Sequence, residues 1–472
     1  MTMLPVASVS EIRRAETEYF GSADVLRTVL TVGEKMAEYI LASPLMRNKK
    51  SLLAVCGQGN NGADGMAAAA VLKKAGLDVR VVFVGDADKK SAPAAFCMEQ
   101  CRELLCDLSP ADAVLDAIFG TGFHGIAEGR EKEAIEFINC LHEKGAVVFS
   151  ADVPSGLGSE FKVHPDITIG VQAVKLACAC GTSAAACGAP AAIDALSPSV
   201  RAEAQLIEHG DLRTFLPRKS PYGHKNSFGT VGIIGGCAGM EGAAMLSAEA
   251  AAKAGAGKVR ILSPLPYYAA RSPHLLLMPC EPDNDALRGL DAAAFGMGAG
   301  RTEHTADTAR MLIQSELPLV LDADALWALH SARNMLKKRK DRGLRCVLTP
   351  HIGEALHLID DPALFADTAA IEANPVAAAL HISRKYYCDV ILKSWYSVIV
   401  SDGVWILNSP TPALATAGSG DCLAGICAAV LARGGQIPAA ALIHNAAGHR
   451  AGMLYGRDSV TAEDIIRSVY LD

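Results

Sequence analysis

The chain has 472 residues, half of them hydrophobic and 20% charged, with a net charge of −7 and a pI of about 6.0. That length suits two domains with large cores and excludes a disordered polymer. The acidic balance argues against a nucleic-acid partner, and apolar runs broken every few residues argue against a membrane partner.

The first residues, MTMLPVASVSEIRRAE, lack the charged-then-apolar layout of a signal peptide and read as mature protein. Fourteen cysteines are scattered through apolar segments without a CxxC pair. Cys97/Cys101 and Cys178/Cys180 have no companion ligands at zinc spacing, so the cysteines read as reduced small hydrophobes and the location as cytoplasmic.

In chain order, SLLAVC, DVRVVFVG, AVLDAIFG and AVVFSAD predict buried strands. Between them, GMAAAAVLKKAG and EKEAIEFINCLHEKG predict helices. Near-continuous apolar strands alternating with helices indicate an α/β class with a parallel sheet covered on both faces. A stretch rich in Pro and charge, residues 197–228, interrupts the alternation, so the boundary is expected between 205 and 225. The domains are expected at 1–205 and 206–472. After the break, TVGIIGG, GKVRIL, AAAFGMG, PLVLDAD, RCVLTP and CDVILK predict strands, and YSVIVSDGVWILN a hairpin. The basic run LKKRKDRGLR (336–345) reads as a solvated loop or helix end.

Ligands of doubly wound sheets bind beyond the carboxyl ends of the strands. In the first half those ends carry CGQGNNGADG (56–65), FGTGFHG (119–125) and ADVPSGLG (151–158). Glycines let backbone N–H groups approach a phosphate, and a helix N-terminus favours its charge. Asn61, Asp116 and Ser155 offer only oxygen ligands with one formal charge, which suits a hard cation such as potassium. Asp152, at a strand end before Pro-Ser-Gly, is exposed for acid/base work. Taken singly, each loop also reads as an ordinary turn, with Asp152 as a helix cap.

GNNGADG, DAIFGTGFHG and SADVPSGL, in this order, resemble the N-terminal epimerase domain of the NAD(P)H-hydrate repair enzymes, over roughly residues 8–200. The resemblance implies a Rossmann-like three-layer fold. It implies that Asn60, Asn61, Gly62, Ala63 and Asp64 contact the hydrated dinucleotide, together with Gly120, Thr121, Gly122, Phe123, His124, Gly125 and Ile126. It also implies that Asn61, Asp116 and Ser155 hold potassium and that Asp152 is the acid/base. Lys175, in VQAVKLA, matches a family lysine. The chain departs from the family's NNGGDG at Ala63, which would cost about 1 kcal/mol if that position required a positive φ, and whose methyl group would otherwise crowd the ligand.

In the second half, TPALATAGSGDCLAGICAAVLARG (411–434) places a Gly-Ser-Gly loop directly before a helix with Asp421 in its first turn. Loop amides and the helix N-terminus form an anion hole, and the dipole is expected to keep Asp421 ionised as a base. An N-capping Asp has the same appearance. Further strand ends carry VGIIGG, GMGAG, LDAD, TPHIGE and LKSWYS. His351 alone also reads as structural, and Lys393 as a surface lysine with an apolar stem. Together these motifs, AGSGDCLAG and TPHIGE above all, resemble the ribokinase-like ADP- or ATP-dependent NAD(P)HX dehydratases over roughly 206–470. The resemblance implies a second three-layer sandwich with Asp421 as base. Lys393, Ser394, Trp395, Tyr396, Ser397 and Gly420 would contact the nucleotide, and Ala243, Gly300, His351 and Asp421 the hydrated dinucleotide. Glu354 would help position magnesium.

The two halves imply one substrate pair, NADHX and NADPHX, with ADP or ATP as phosphoryl donor and ADP the expected one. Ala-rich helical faces permit self-association, and a homo-oligomer is expected. A small-molecule kinase of the same fold, or a dinucleotide-binding protein with an inactive first half, are the rival readings.

Overall fold

Side-chain alternation along the strands explains the architecture of the first half. In the computed structural model, which describes residues 3–20, 24–195, 200–263, 274–278 and 280–471, Leu52, Ala54 and Cys56 enter one core cluster and Leu53 and Val55 another. Residues of opposite parity point to opposite sheet faces, so a strand buried on both sides needs two cores. Helices Val25–Ala42, Asn60–Lys74 and Ala92–Gln100 cover one face and Gly129–Glu143 the other.

The chain divides into two compact units, Leu4–Gln205 and, with Met3, Leu206–Asp472. In the first, six parallel strands run in the order Asp78–Phe83, Ser51–Cys56, Ala113–Ala117, Val147–Ala151, Ile167–Val171 and Ala189–Ile193. The order reverses at Ser51–Cys56, opening a crevice beside its carboxyl end. All four strands expected in this half are present. Ile167–Val171 and Ala189–Ile193 were not anticipated, because Gly170 and Pro190 weaken their strand signal. A further short strand, Leu4–Ala7, pairs in parallel with Val174–Lys175, setting Ala7 opposite Lys175. Helix Val9–Phe20 follows directly.

The second unit holds a parallel series: Leu276–Met278, Lys258–Leu262, Thr230–Ile234, Ala292–Phe295, Leu319–Leu321, Cys346–Leu348 and Asp389–Lys393. Ser397–Val400 and Val404–Leu407 extend it as the expected antiparallel hairpin. The first three residues of the interrupting stretch 197–228 lie outside the described residues. Helices Glu241–Lys253 and Ser419–Ala432 pack so closely that a Cβ on Gly425 would lie 1.9 Å from the Ser247 carbonyl. Both units are thus α/β, as the alternation indicates.

Residues 60–64 were expected in a loop, but the helix begins at Asn60. The basic run is the end of helix Arg333–Asp341, with Lys337, Lys338, Lys340, Asp341 and Arg342 exposed as expected, and Arg339 is the exception, buried within the helix. Its guanidinium donates to the carbonyls of Ile313 (3.0 Å), Ser315 (2.7 Å), Leu317 and Arg345. A guanidinium with five donors can satisfy several strand- and helix-end carbonyls at once, which a lysine cannot. All fourteen cysteines are free thiols. Among the described residues, no helix is long and apolar enough to cross a membrane.

Candidate active sites

At the reversal point of the first unit lies a cavity of about 490 Å³. It gathers Asn60, Asn61, Asp64, Gly120, Thr121, Gly122, Phe123 and Asp152 from three strand ends. Gly62 and Ala63 do not line it. Gly62 packs on Gly57, where a Cβ would come within 1.9 Å of the carbonyl oxygen. Ala63 is fully buried in the helix with a negative φ, so its methyl group joins the core, does not strain the backbone and does not line the cavity. His124, Gly125 and Ile126 lie on the exposed remainder of their loop.

Asp152 is held in the left-handed region at φ 69°, a conformation that costs a non-glycine residue about 1 kcal/mol. Its carboxylate accepts from Thr121 N–H (3.1 Å) and forms an ion pair with the buried Lys175. Gly120 makes the approach possible, since a Cβ there would lie 3.0 Å from Asp152 Oδ2. Asp64 faces the same cavity, and burial, with Asp152 and Glu16 adding to it, raises its pKa well above the usual carboxylate range. Glu16, from helix Val9–Phe20, joins Asp64, Asp152 and Glu131 as the fourth carboxylate on the lining. It was not anticipated because no local motif marks a residue brought in by a strand pairing that joins Ala7 to Lys175.

Behind the lining, Asp116 is fully buried. It accepts from Ser150 Oγ (2.7 Å), Ser155 N–H (2.9 Å), Ser155 Oγ and Ile118 N–H (3.3 Å), and burial still raises its pKa. No lysine or arginine is paired with it among the described residues. Asn61 has a buried side-chain amide nitrogen without a partner. Amide N and O are assigned by their surroundings, so a flipped amide would present an oxygen there. A buried carboxylate without a cation, a hydroxyl and an unpartnered amide fit a monovalent cation. Among the described residues, no cluster of three His, Cys, Asp or Glu side chains forms a metal site.

In the second unit a cavity of about 600 Å³ is lined by His351, the strand-end run Lys393–Ser397, and Gly420. It also takes in the 410–416 loop and Ser419, which belong to or adjoin the 411–434 motif, and His444 and Asn445, which the sequence did not mark. His351 and Lys393 meet because their backbones form a parallel bridge. His351 Nδ1 accepts from Gly353 and Glu354 N–H groups (3.0 and 3.3 Å), and Glu354 Oε2 accepts from His351 N–H (2.9 Å). This reciprocal cap fixes both side chains at the start of helix Ile352–Ile359. Glu354 is therefore engaged in the cap through one oxygen, and its other oxygen lies 3.6 Å from His351 Nε2. His444, buried under the cavity, bonds Ser419 Oγ (3.1 Å), and burial pushes its pKa down to about 4, so it is neutral.

Asp421 occupies the first turn of helix Ser419–Ala432 outside that lining. The helix dipole was expected to keep it ionised at low pH, but burial, reinforced by Asp322 and Asp324, pushes its pKa up to about 7. Lys393 acts the other way on Asp421, but its ammonium is paired with Asp322 (2.8 Å), which also accepts from Thr349 Oγ1 (2.7 Å). Burial opposes the charge on Lys393, and Asp322, Glu354 and Asp421 together outweigh it and raise its pKa. Gly300 N–H donates to Asp324 (2.8 Å), and Ala243 packs beside Gly298 of the same glycine loop. Gly300 and Asp421 thus share one electrostatic neighbourhood through Asp324. Asp322 was legible only as one of two carboxylates at a strand end.

Comparison with known proteins agrees with this division. Residues 231–470 match the family model described as NAD(P)H-hydrate dehydratase, and residues 27–177 the model described as YjeF-related protein N-terminus. A bifunctional NAD(P)H-hydrate repair enzyme of Moorella thermoacetica is 30% identical, covering 99% of this chain and 95% of that one. One of Escherichia coli K12 is 27% identical over 89% and 84%. A Bacillus subtilis ADP/ATP-dependent NAD(P)H-hydrate dehydratase, co-crystallised with ATP/Mg2+, superposes with a TM-score of 0.47 at 21% identity, covering 55% of this chain and 94% of that one. The chain belongs to the family of bifunctional NAD(P)H-hydrate repair enzymes.

Proposed function

We propose that this chain restores hydrated NADH and NADPH, with an epimerase in the first unit and a nucleotide-dependent dehydratase in the second. The observation that carries the reading is Asp421. It stands at a helix N-terminus beside the Asp322–Lys393 pair, with a pKa of about 7. A base of that strength is half ionised near neutral pH and takes a hydroxyl proton efficiently.

In the dehydratase, Asp421 takes the proton of the ring hydroxyl as that oxygen attacks the terminal phosphoryl group of ADP or ATP. The bond to the departing nucleotide breaks, and phosphate then leaves carbon with its bonding pair while a ring proton is lost, restoring the double bond. Phosphate leaves where hydroxide would not. Lys393 to Ser397 and Gly420 would hold the nucleotide, and Ala243, Gly300 and His351 the dinucleotide. Magnesium, bound mainly through the phosphates, would neutralise their charge. Glu354, held by its helix cap, would reach that ion through water.

In the epimerase, Asn60 to Asp64 and Gly120 to Ile126 would hold the other epimer, with Asp152 moving protons at the ring hydroxyl. Gly62 and Ala63 contribute by packing. Potassium at Asn61, Asp116 and Ser155 would balance the buried carboxylate and fix the loop ends. A cytoplasmic location and self-association accord with the free thiols and small-residue helices. ADP is the donor we favour.

The test uses the purified chain, mixed NADHX epimers, magnesium and potassium, with ADP and ATP in parallel, following the return of reduced-nicotinamide absorbance. Complete recovery of both epimers with one nucleotide is the expected outcome and identifies the donor. No recovery with either would refute the reading. A product that retains phosphate would point to the kinase alternative.

A further inference from the structure

We propose that Glu16 is the second proton-transfer group of the first unit's cavity, acting with Asp152 as an acid–base pair on the hydrated ring. The inference rests on the epimerase reading above and names a catalytic residue that reading lacks.

Two independent ties put Glu16 there. The strand Leu4–Ala7 pairs with Val174–Lys175, the strand that carries the ion-pair partner of Asp152, and helix Val9–Phe20 leaves that pairing after one residue. Further along, Arg13 donates to the Thr121 carbonyl (3.0 Å), fastening the helix to the loop whose Thr121 N–H donates to Asp152. Glu16, one turn beyond Arg13, then lines the same cavity as Asp152 and Asp64.

The charged groups around it divide the roles. Asp152 is engaged with Lys175 as an ion pair, so it serves as the base. Glu16 has no such partner among the described residues; burial, then Asp152, raises its pKa, while Lys175 and Arg13 act the other way. It therefore serves as the acid. Asp64 and Glu131 also line the cavity; burial, with Asp152 and Glu16 adding to it, raises the Asp64 pKa well above the usual carboxylate range, which makes it a poor donor in each turnover, and Glu131 is not among the charges acting on Glu16.

Inverting a carbon that bears a hydroxyl next to a ring nitrogen needs both. The C–O bond breaks as the nitrogen lone pair forms a C=N bond, and the departing oxygen takes the Glu16 proton and leaves as water. A water then adds to the opposite face of that carbon, the C=N pair returns to nitrogen, and Asp152 receives the water's proton. Glu16 ends ionised and Asp152 protonated, so the reverse direction uses them in exchanged roles. No oxidant or outside reductant is involved.

The experiment uses the full chain without nucleotide, so that dehydration is silent, and follows conversion of one purified NADHX epimer into the other. It also follows uptake of oxygen from isotopically labelled water. E16Q is nearly isosteric, and its nucleotide-dependent dehydration and thermal unfolding report whether the chain is folded. We expect E16Q to lower kcat for epimerisation by about 100-fold with KM little changed. The fall of the wild-type rate toward high pH should disappear, and label uptake should drop in parallel. E16D should recover part of the rate, and D64N should keep the wild-type pH profile. An E16Q rate and profile equal to wild type would overturn the assignment, as would loss of the high-pH limb in D64N instead. A wild-type chain that does not accelerate interconversion overturns the epimerase reading itself, and the assignment falls with it.

Discussion

The two units use the same parts differently. Each has an aspartate at the end of a structural element and a largely buried lysine close by. In the first unit the lysine pairs with the aspartate proposed as acid/base, Asp152 with Lys175. In the second, Lys393 pairs with a neighbour, Asp322, and Asp421 has no ion-pair partner of its own among the described residues, at a pKa of about 7. For Asp421, burial is the largest cause of the raised pKa, and Asp322, which holds the nearby ammonium, adds to it. The same contrast appears in backbone geometry. Asp152 is strained at φ 69° and kept there by its partners, whereas Asp421 sits in an ordinary helical turn.

The largest expected effect tests the base proposed for the second unit. Asp421→Asn should lower the rate of nucleotide-dependent dehydration by about 1,000-fold, within the range for losing a positioned acid or base, and leave epimerisation untouched. An equal loss of both activities would mean that the two sites are not separable as described. The same substitution has a stability signature of known sign. A carboxyl whose folded pKa is raised binds more protons folded than unfolded, so stability falls as pH rises from about 4 to about 7. Asp421→Asn removes that cost. At pH 8 the variant should be more stable than the parent by at most about 4 kcal/mol, and the difference should vanish near pH 4. Chemical denaturation at the two pH values reads it directly.

Breaking the lysine pairs sharpens the comparison. Lys393→Met strands Asp322 and should destabilise the second unit by about 3 kcal/mol. It should also move the low-pH limb of dehydration, expected near pH 7 in the parent, to higher pH, because one more uncompensated anion then faces Asp421. Lys175→Met should cost a similar amount in the first unit and suppress epimerisation, with the dehydration profile unmoved. If dehydration shifted in both variants, the electrostatic division between the sites would be wrong.

The smallest effect concerns Ala63. Its methyl group belongs to the core, so Ala63→Gly should leave epimerisation within about twofold of the parent. It should lower stability by about 1 kcal/mol through helix propensity and lost burial. A marked gain in epimerisation would show that the methyl does crowd the ligand.

Much of this was legible from residues alone. Strands such as Ser51–Cys56 and Thr230–Ile234 announce themselves because a strand buried on both faces is a near-continuous apolar run, broken here only by Ser51 and Thr230 at their starts. Glycine-rich strand ends mark ligand crevices because close backbone approach leaves little room for a Cβ, as at Gly62 against Gly57. The sequence by itself therefore determined the α/β class, the sheet edges and the candidate loops. Tertiary structure decided what each group does. Only packing could show that Arg339 is a buried satisfier of carbonyls, or that Ala63 faces the core. Helix dipoles predict an ionised Asp421, but desolvation and Asp322, just past the end of the distant strand Leu319–Leu321, prevail and raise its pKa. Glu16 reaches its cavity through a pairing of Ala7 with Lys175. Propensity, periodicity and turn chemistry act over a few neighbours and are written locally. Desolvation and charge act through space, and space is assembled only when distant segments meet.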